Sequence, residues 1–193
     1  MRLGRWWSLL ALLAAPLPAA APASANADPD LRDALVRALA STDGFENRDA
    51  AEVWLLDMSQ RLQHRLPDPA FRLDLLRQVH AEARRAGLQP ELVLAVIEVE
   101  SGFNRWAISA AGARGLMQVM PFWVEEIGRA DDNLFDVGTN LRYGCAILRY
   151  YLDLAQGDLT EALARYNGSY GRHDYPARVY QTAPQCSAYS CEA

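Results

Sequence analysis

The stretch AVIEVESGFN, residues 95–104, reads as an apolar helix that runs into two glutamates and then into Ser101-Gly102, where a helix should stop. On a helix, residues three, four and seven apart share a face. Counting back from Glu100 gives Ile97, Val96 and Val93, all apolar and branched; counting back from Glu98 gives Ala95, Leu94 and Glu91. Glu98 therefore shares its stripe with another charge, whereas Glu100 ends the oiliest line available. A carboxyl beside such a surface loses hydration, which favours its neutral form, and the partial negative charge of a helix C-terminus acts in the same direction. A carboxylic acid kept protonated can donate to a leaving oxygen. Helical period alone also describes a solvated helix-end glutamate, so the choice rests on the rest of the chain.

Outward from this stretch the pattern is helical in both directions. Upstream, DPDLRDALVRALAS (28–41) has an Asp start and helical period, a second helix is expected from Asp49 with Asp49 and Glu52 as a capping box, and a third from Asp68-Pro69 to Gly87. Pro90 begins the fourth. Downstream, residues 103–115 are rich in Gly, Ala, Ser and Asn and predict a long loop. Helices are then expected over Leu116–Ile127 (with Pro121 disturbing it), from Asn140 to about Ala155, after an Asp158/Glu161 cap, and as a last turn from Pro176. Strand-like alternation is scarce, and there is no internal repeat. The predicted class is all-α.

The chain has 193 residues and a net charge of −5, with no Lys/Arg cluster, which argues against nucleic acid and against docking on anionic lipid. Residues 1–27 have the three-part anatomy of a secretory signal: Arg2 and Arg5, an apolar run from Trp6 to Ala15, then Ala-Ser-Ala and Ala-Asn-Ala. The apolar run is short for a membrane span and is followed by Pro16 and Pro18, so cleavage and export are expected, with no span afterwards. Export permits disulfides. Cys186 and Cys191 flank a short loop and could pair, an open question with an odd cysteine count; Cys145 shares a stripe with Leu141, Leu148 and Leu152 and reads as a core thiol. His64, His80 and His173 read as surface residues, and neither a metal nor a cofactor is expected. The division expected is 1–27 signal, 28–74 helical extension and 75–193 main domain.

Three ordered blocks, ESGFN (100–104), GARGLMQVMP (112–121) and ARYNG (164–168), resemble the motifs of soluble lytic transglycosylase (SLT) catalytic domains of the lysozyme-like superfamily, from roughly Leu75 to Tyr180. The resemblance implies a lysozyme-like helical fold, Glu100 as the single catalytic acid/base, and substrate contacts from Ser101, Ser109, Met117, Gln118, Met120, Tyr166, Asn167 and Tyr175. It implies peptidoglycan glycan strands as the binding partner. Tyr166 would donate a hydrogen bond toward the acid or the substrate acetamido group, and Gln118 and Asn167 offer the mixed donors and acceptors that sugars require. Gly112 and Gly115 either let backbone approach the glycan or simply make turns. Trp106 and Trp123 either stack on sugar or pack inside. The sequence departs from the family at Asn104-Arg105, Phe122-Trp123 and Gly168-Ser169, which bears on groove shape rather than on the acid.

The reaction this implies breaks the β-1,4 bond between N-acetylmuramic acid and N-acetylglucosamine. Ordinary glycosidases use two carboxylates. No second one lies between Glu100 and Glu125, and Asp131, Asp132 and Asp136 fall in a connection expected to lead away from the groove. A one-acid scheme fits: Glu100 protonates the leaving oxygen, then takes the proton of the muramyl C6 hydroxyl as it closes on C1, giving a 1,6-anhydro product. The alternatives are a hydrolase like goose-type lysozymes and a non-catalytic peptidoglycan-binding or scaffold module.

Overall fold

A computed structural model describes residues 48–182 of the chain. Its helices are α1 (Arg48–Leu62), α2 (Pro69–Arg85), α3 (Pro90–Ser101), α4 (Phe122–Ile127), α5 (Val137–Leu154), α6 (Leu159–Tyr166) and α7 (Asp174–Thr182). The all-α class holds: among the described residues there is no strand, only isolated antiparallel bridges from Arg114 to Ile108 and to Val119. The expected leader, the helix expected over 28–41, Cys186 and Cys191 lie outside the described residues.

Helix α3 is the hub. Leu92 through Ile97 are all buried, so the helix is apolar around most of its circumference and must be enclosed by neighbours. It packs between α2 and α7; α7 meets α6, α6 meets α5, and α5 returns to α2, closing a ring of pairwise contacts. Helix α1 lies outside the ring on α2. Met58 and Leu66 nevertheless join the same hydrophobic core as Leu75, Val93 and Leu148. No helix among the described residues is long and apolar enough to cross a membrane.

Local signals set several boundaries as expected. The Asp68 carboxylate accepts from Ala70 N and Phe71 N ahead of Pro69, and the Asp158 carboxylate accepts from Glu161 N at 3.0 Å. Gly102, at φ 57°, takes the left-handed conformation that ends α3. Four expectations need correction. Asp49 lies within α1 rather than ahead of it. Helix α5 begins at Val137, because Asp136 Oδ1 accepts from Thr139 N at 2.9 Å. Helix α7 begins at Asp174, ahead of Pro176. The helix expected from Leu116 starts only at Phe122, after Pro121.

The reason for the last correction is Asn140. Its side chain is 1% exposed, accepts from Met117 N at 2.8 Å, and donates to Arg114 O at 2.9 Å and Leu134 O at 2.8 Å. These bonds hold residues 114–117 in a tight turn. Gly115 has φ 76°, and a Cβ there would lie 2.4 Å from Asn140 Nδ2 and 2.5 Å from Leu134 O. Its close approach is thus to Asn140 rather than to a ligand. Gln118, at φ 48°, also leaves the right-handed helical region.

Candidate active site

The end of α3, the loop 103–120, α4, α5 and the end of α6 enclose an open cleft of about 250 Å³. Glu100 is the only carboxyl among the described residues that line it; Ser109, Gln118, Met120, Trp123, Tyr166 and Asn167 line it with Ile147 and small residues of the loop. Asp132 is bonded to the Tyr143 hydroxyl at 2.6 Å and Asp136 caps α5, so neither faces the cleft.

The two glutamates of α3 part company. Glu98 pairs with Arg65 at 2.5 Å and shares a separate hollow with Glu91, whose carboxylate accepts from Trp54 Nε1 at 2.6 Å. Glu100 faces the cleft, half-buried. Loss of hydration pushes its pKa above the usual carboxylate range; Tyr175, Arg178 and Asn167 oppose that rise without cancelling it. The Tyr175 hydroxyl is buried and makes no well-formed hydrogen bond. Its approach to Glu100 is therefore longer or more oblique than an ordinary one, yet close enough to favour the carboxylate. Removing it should leave burial less opposed. In Tyr175→Phe the Glu100 carboxyl, followed by carbon-13 NMR, is expected to titrate at higher pH than in wild type; a midpoint that stays in place or moves down refutes the contact.

Some expected substrate contacts do not reach the cleft. Ser101 Oγ donates to Ile97 O at 3.1 Å, within its own helix. Met117 is fully buried beneath the cleft, and Tyr175, 2% exposed, lies under Glu100 rather than beside a ligand. The motif positions are occupied for different reasons: Met117 fills the space left by Gly144, where a Cβ would lie 2.3 Å from its Sδ, and its main chain is held from both sides, by Asn140 at the N–H and by the Tyr166 hydroxyl, which donates to its carbonyl at 2.8 Å. That bond also corrects the expectation for Tyr166. The hydroxyl proton is engaged by Met117 and not directed to Glu100; the ring remains a cleft wall, its phenol raised well above the ordinary range first by burial and then by the Glu100 charge.

Gln118 is held in a particular sense. Its Nε2 donates to Gly115 O at 2.9 Å and Ala107 O at 3.2 Å, and two carbonyls around one end of the amide require the nitrogen there. The amide is therefore an acceptor toward any ligand, through Oε1. Trp123 is 7% exposed, packs on Phe122 at 4.9 Å and forms part of the cleft wall. Trp106, 62% exposed, lies outside it. Cys145 is a free, buried thiol whose pKa burial pushes up to about 12, which makes it an inert core residue. His64 and His173 are exposed, while His80 is half-buried and tilted against Trp54 at 5.1 Å. No cluster that could hold a metal occurs among the described residues. Sequence reasoning missed Asn140 and Ile147. The available signal was one polar residue on an otherwise apolar stripe, Asn140-Gly144-Ile147, at helical spacing.

Residues 77–185 match the transglycosylase SLT domain family, more than half of the chain, and the chain belongs to that family. It is 35% identical over 101 residues to the transglycosylase of Enterobacteria phage PRD1, covering 52% of this chain and 37% of the phage protein. It is 51% identical over 49 residues to membrane-bound lytic murein transglycosylase C of Actinobacillus pleuropneumoniae, covering 25% of this chain and 13% of that protein. A structure of an inactive mutant of the lytic transglycosylase Slt of Pseudomonas aeruginosa is 31% identical, with a TM-score of 0.46, over 66% of this chain and 21% of that one. The chain thus spans well under half the length of these relatives.

Proposed function

We propose that the protein is a peptidoglycan lytic transglycosylase in which Glu100 is both acid and base. The observation that supports this most directly is a single carboxyl, raised in pKa by burial, in a cleft that no second carboxyl lines among the described residues. Membership of the SLT family supports the same reading. Residues 75–193 would form the catalytic unit, with 28–74 as a helical extension and 1–27 as a leader removed on export to the periplasm.

In this reading a muramyl residue sits beside Glu100. The neutral carboxyl gives its proton to the departing glycosidic oxygen, and the substrate's own acetamido group stabilises the cation at C1. The resulting carboxylate is favoured by Tyr175, Arg178 and Asn167, which act on the charged form. It then accepts the C6 hydroxyl proton while that oxygen bonds to C1. One group can serve both steps because its surroundings hold it between the two states: burial favours the acid, and the three neighbours favour the base. Gln118 Oε1 accepts from a sugar hydroxyl or amide N–H.

Digestion of purified cell wall in ¹⁸O-labelled water tests the reaction. The expected products carry unlabelled 1,6-anhydro ends; label in new reducing ends would make the protein a hydrolase, and no products at all would leave a binding module.

A further inference from the structure

A second hollow, of about 290 Å³, lies along α6 and shares no lining residue with the cleft. Its volume is at the small end of ligand pockets, enough for a sugar unit. Tyr170, 63% exposed, is part of its wall. The backbone sets that ring in place. Ser169 N bonds to Ala164 O at 2.8 Å, which folds the chain back along α6, and Arg172 N bonds to Ser169 O at 2.9 Å across a turn. Gly171, the third residue of the turn, has φ 80°, so Tyr170 is its corner residue.

The ring is also held from behind. The Arg165 guanidinium lies 4.1 Å from the ring centroid and is itself fixed to Glu161, through Nε at 2.8 Å and Nη2 at 2.6 Å. Tyr170 lines the hollow and Arg165 does not. The face that Arg165 covers is therefore turned away, and the other face is open to the hollow. An aromatic face fixed before binding costs little entropy to use.

The charges around the ring are mostly paired. Glu161 is bonded to Arg165, and Arg172 to Asp174 at 3.0 Å. The hydroxyls of Thr160 and Tyr180 share a hydrogen bond at 2.9 Å. Asp158 Oδ1 accepts from Glu161 N at 3.0 Å as the cap of α6, which leaves its carboxylate with acceptor capacity to spare. An anion meets no unpaired arginine in this hollow, and a metal ion meets no cluster of ligands among the described residues. A purely apolar ligand would bury the Asp158 charge at a cost. A sugar uses both features: its C–H face lies on Tyr170, and its hydroxyls donate to Asp158 and Thr160.

We propose that this hollow is a second saccharide site, which takes one unit of a β-1,4-linked amino-sugar glycan outside the cleft. That it serves wall cleavage rests on the transglycosylase reading; that it holds a sugar does not. A second weak contact on a polymer raises the effective concentration of the first. The hollow thus favours a long or insoluble glycan and adds nothing for a short one held in the cleft alone.

The test follows backbone amides by NMR in the full chain carrying Glu100→Gln, which stops turnover, as the N-acetylglucosamine tetramer is added. Shifts at 171–173 should saturate independently of those at Gln118 and Asn167. Tyr170→Ala should weaken binding at 171–173 about tenfold without moving the cleft midpoint, and Tyr170→Phe should retain it. Asp158→Asn, which keeps a cap on α6, should weaken it about threefold. No shift at 171–173, a shift that follows the cleft midpoint, or equal losses in Tyr170→Phe and Tyr170→Ala overturns the site. With Glu100 intact, Tyr170→Ala should release anhydro ends from insoluble wall about threefold more slowly, and from a short soluble glycan at the wild-type rate. An equal fall on both would make the ring part of the cleft, and unchanged rates on both would overturn its service to cleavage. If wild type cleaves neither, the transglycosylase reading fails, and the tetramer titration still decides the hollow.

Discussion

Glu100→Gln is expected to abolish glycan cleavage, by about 10³-fold or more, and at neutral pH to make the protein more stable. Both effects come from one cause. The carboxyl sits where burial disfavours its charge, so the folded chain holds that proton more tightly than the unfolded chain. A raised folded pKa means stability is greatest below the ordinary carboxylate pKa, declines as pH rises through the interval between the unfolded and folded values, and stays reduced above it. Glutamine has nearly the same shape and no charge. The melting-temperature difference between variant and wild type should therefore be small in acid and positive at neutral pH. Melts across a pH series, paired with product assays, check this. A variant that is inactive but no more stable at neutral pH would mean that Glu100 ionises without penalty, and the account of its acid role would fall. Glu98→Gln is the control two residues away. It removes the partner of Arg65 on the far side of α3 and should leave cleavage largely intact.

How far this was legible in the sequence depends on the distance over which each feature is determined. Helix α3 and the distinction between its glutamates follow from spacing inside a dozen residues and from one glycine, and the caps at Asp68 and Asp158 are equally local. The segment 113–120 is different. Leu116, Met117, Gln118 and Val119 form a helix-compatible run, and nothing within it announces a turn except Gly115. The conformation is imposed by Asn140, 23 residues from Met117 in sequence, and tertiary contacts override weak local propensity. The same override displaced side chains that motif position alone would put in contact with a ligand. Met117 and Tyr175 are buried because packing requires it, and the Tyr166 hydroxyl turns to Met117 because a buried carbonyl needs a donor. The family motif therefore specifies a scaffold for the cleft wall as much as a ligand surface.

That scaffold gives the second large expectation, which concerns Asn140. Asn140→Ala removes one acceptor and two donors from a site 1% exposed to solvent, leaving Met117 N–H and the carbonyls of Arg114 and Leu134 without those partners. Each unsatisfied buried group costs about 1–3 kcal/mol, and the smaller side chain lets water recover part of it, so a net loss of roughly 3 kcal/mol is expected. In a domain of this size that corresponds to a melting temperature lower by about 10 °C. Activity should fall as well at temperatures where the variant stays folded. The turn that Asn140 secures orients Gly115 O, which helps hold the Gln118 amide, and Met117 O, which holds Tyr166. Asn140→Asp separates the parts: it keeps an acceptor for Met117 N–H but loses both donors and brings a carboxyl into the core, so it should also be destabilised, and more so as pH rises and burial opposes ionisation. Thermal melts of both variants at two pH values, with cleavage measured well below each midpoint, give the comparison. Wild-type stability in Asn140→Ala would show that the 114–117 turn is held by its glycine and its packing, and that the buried amide is dispensable to the cleft it sits beneath.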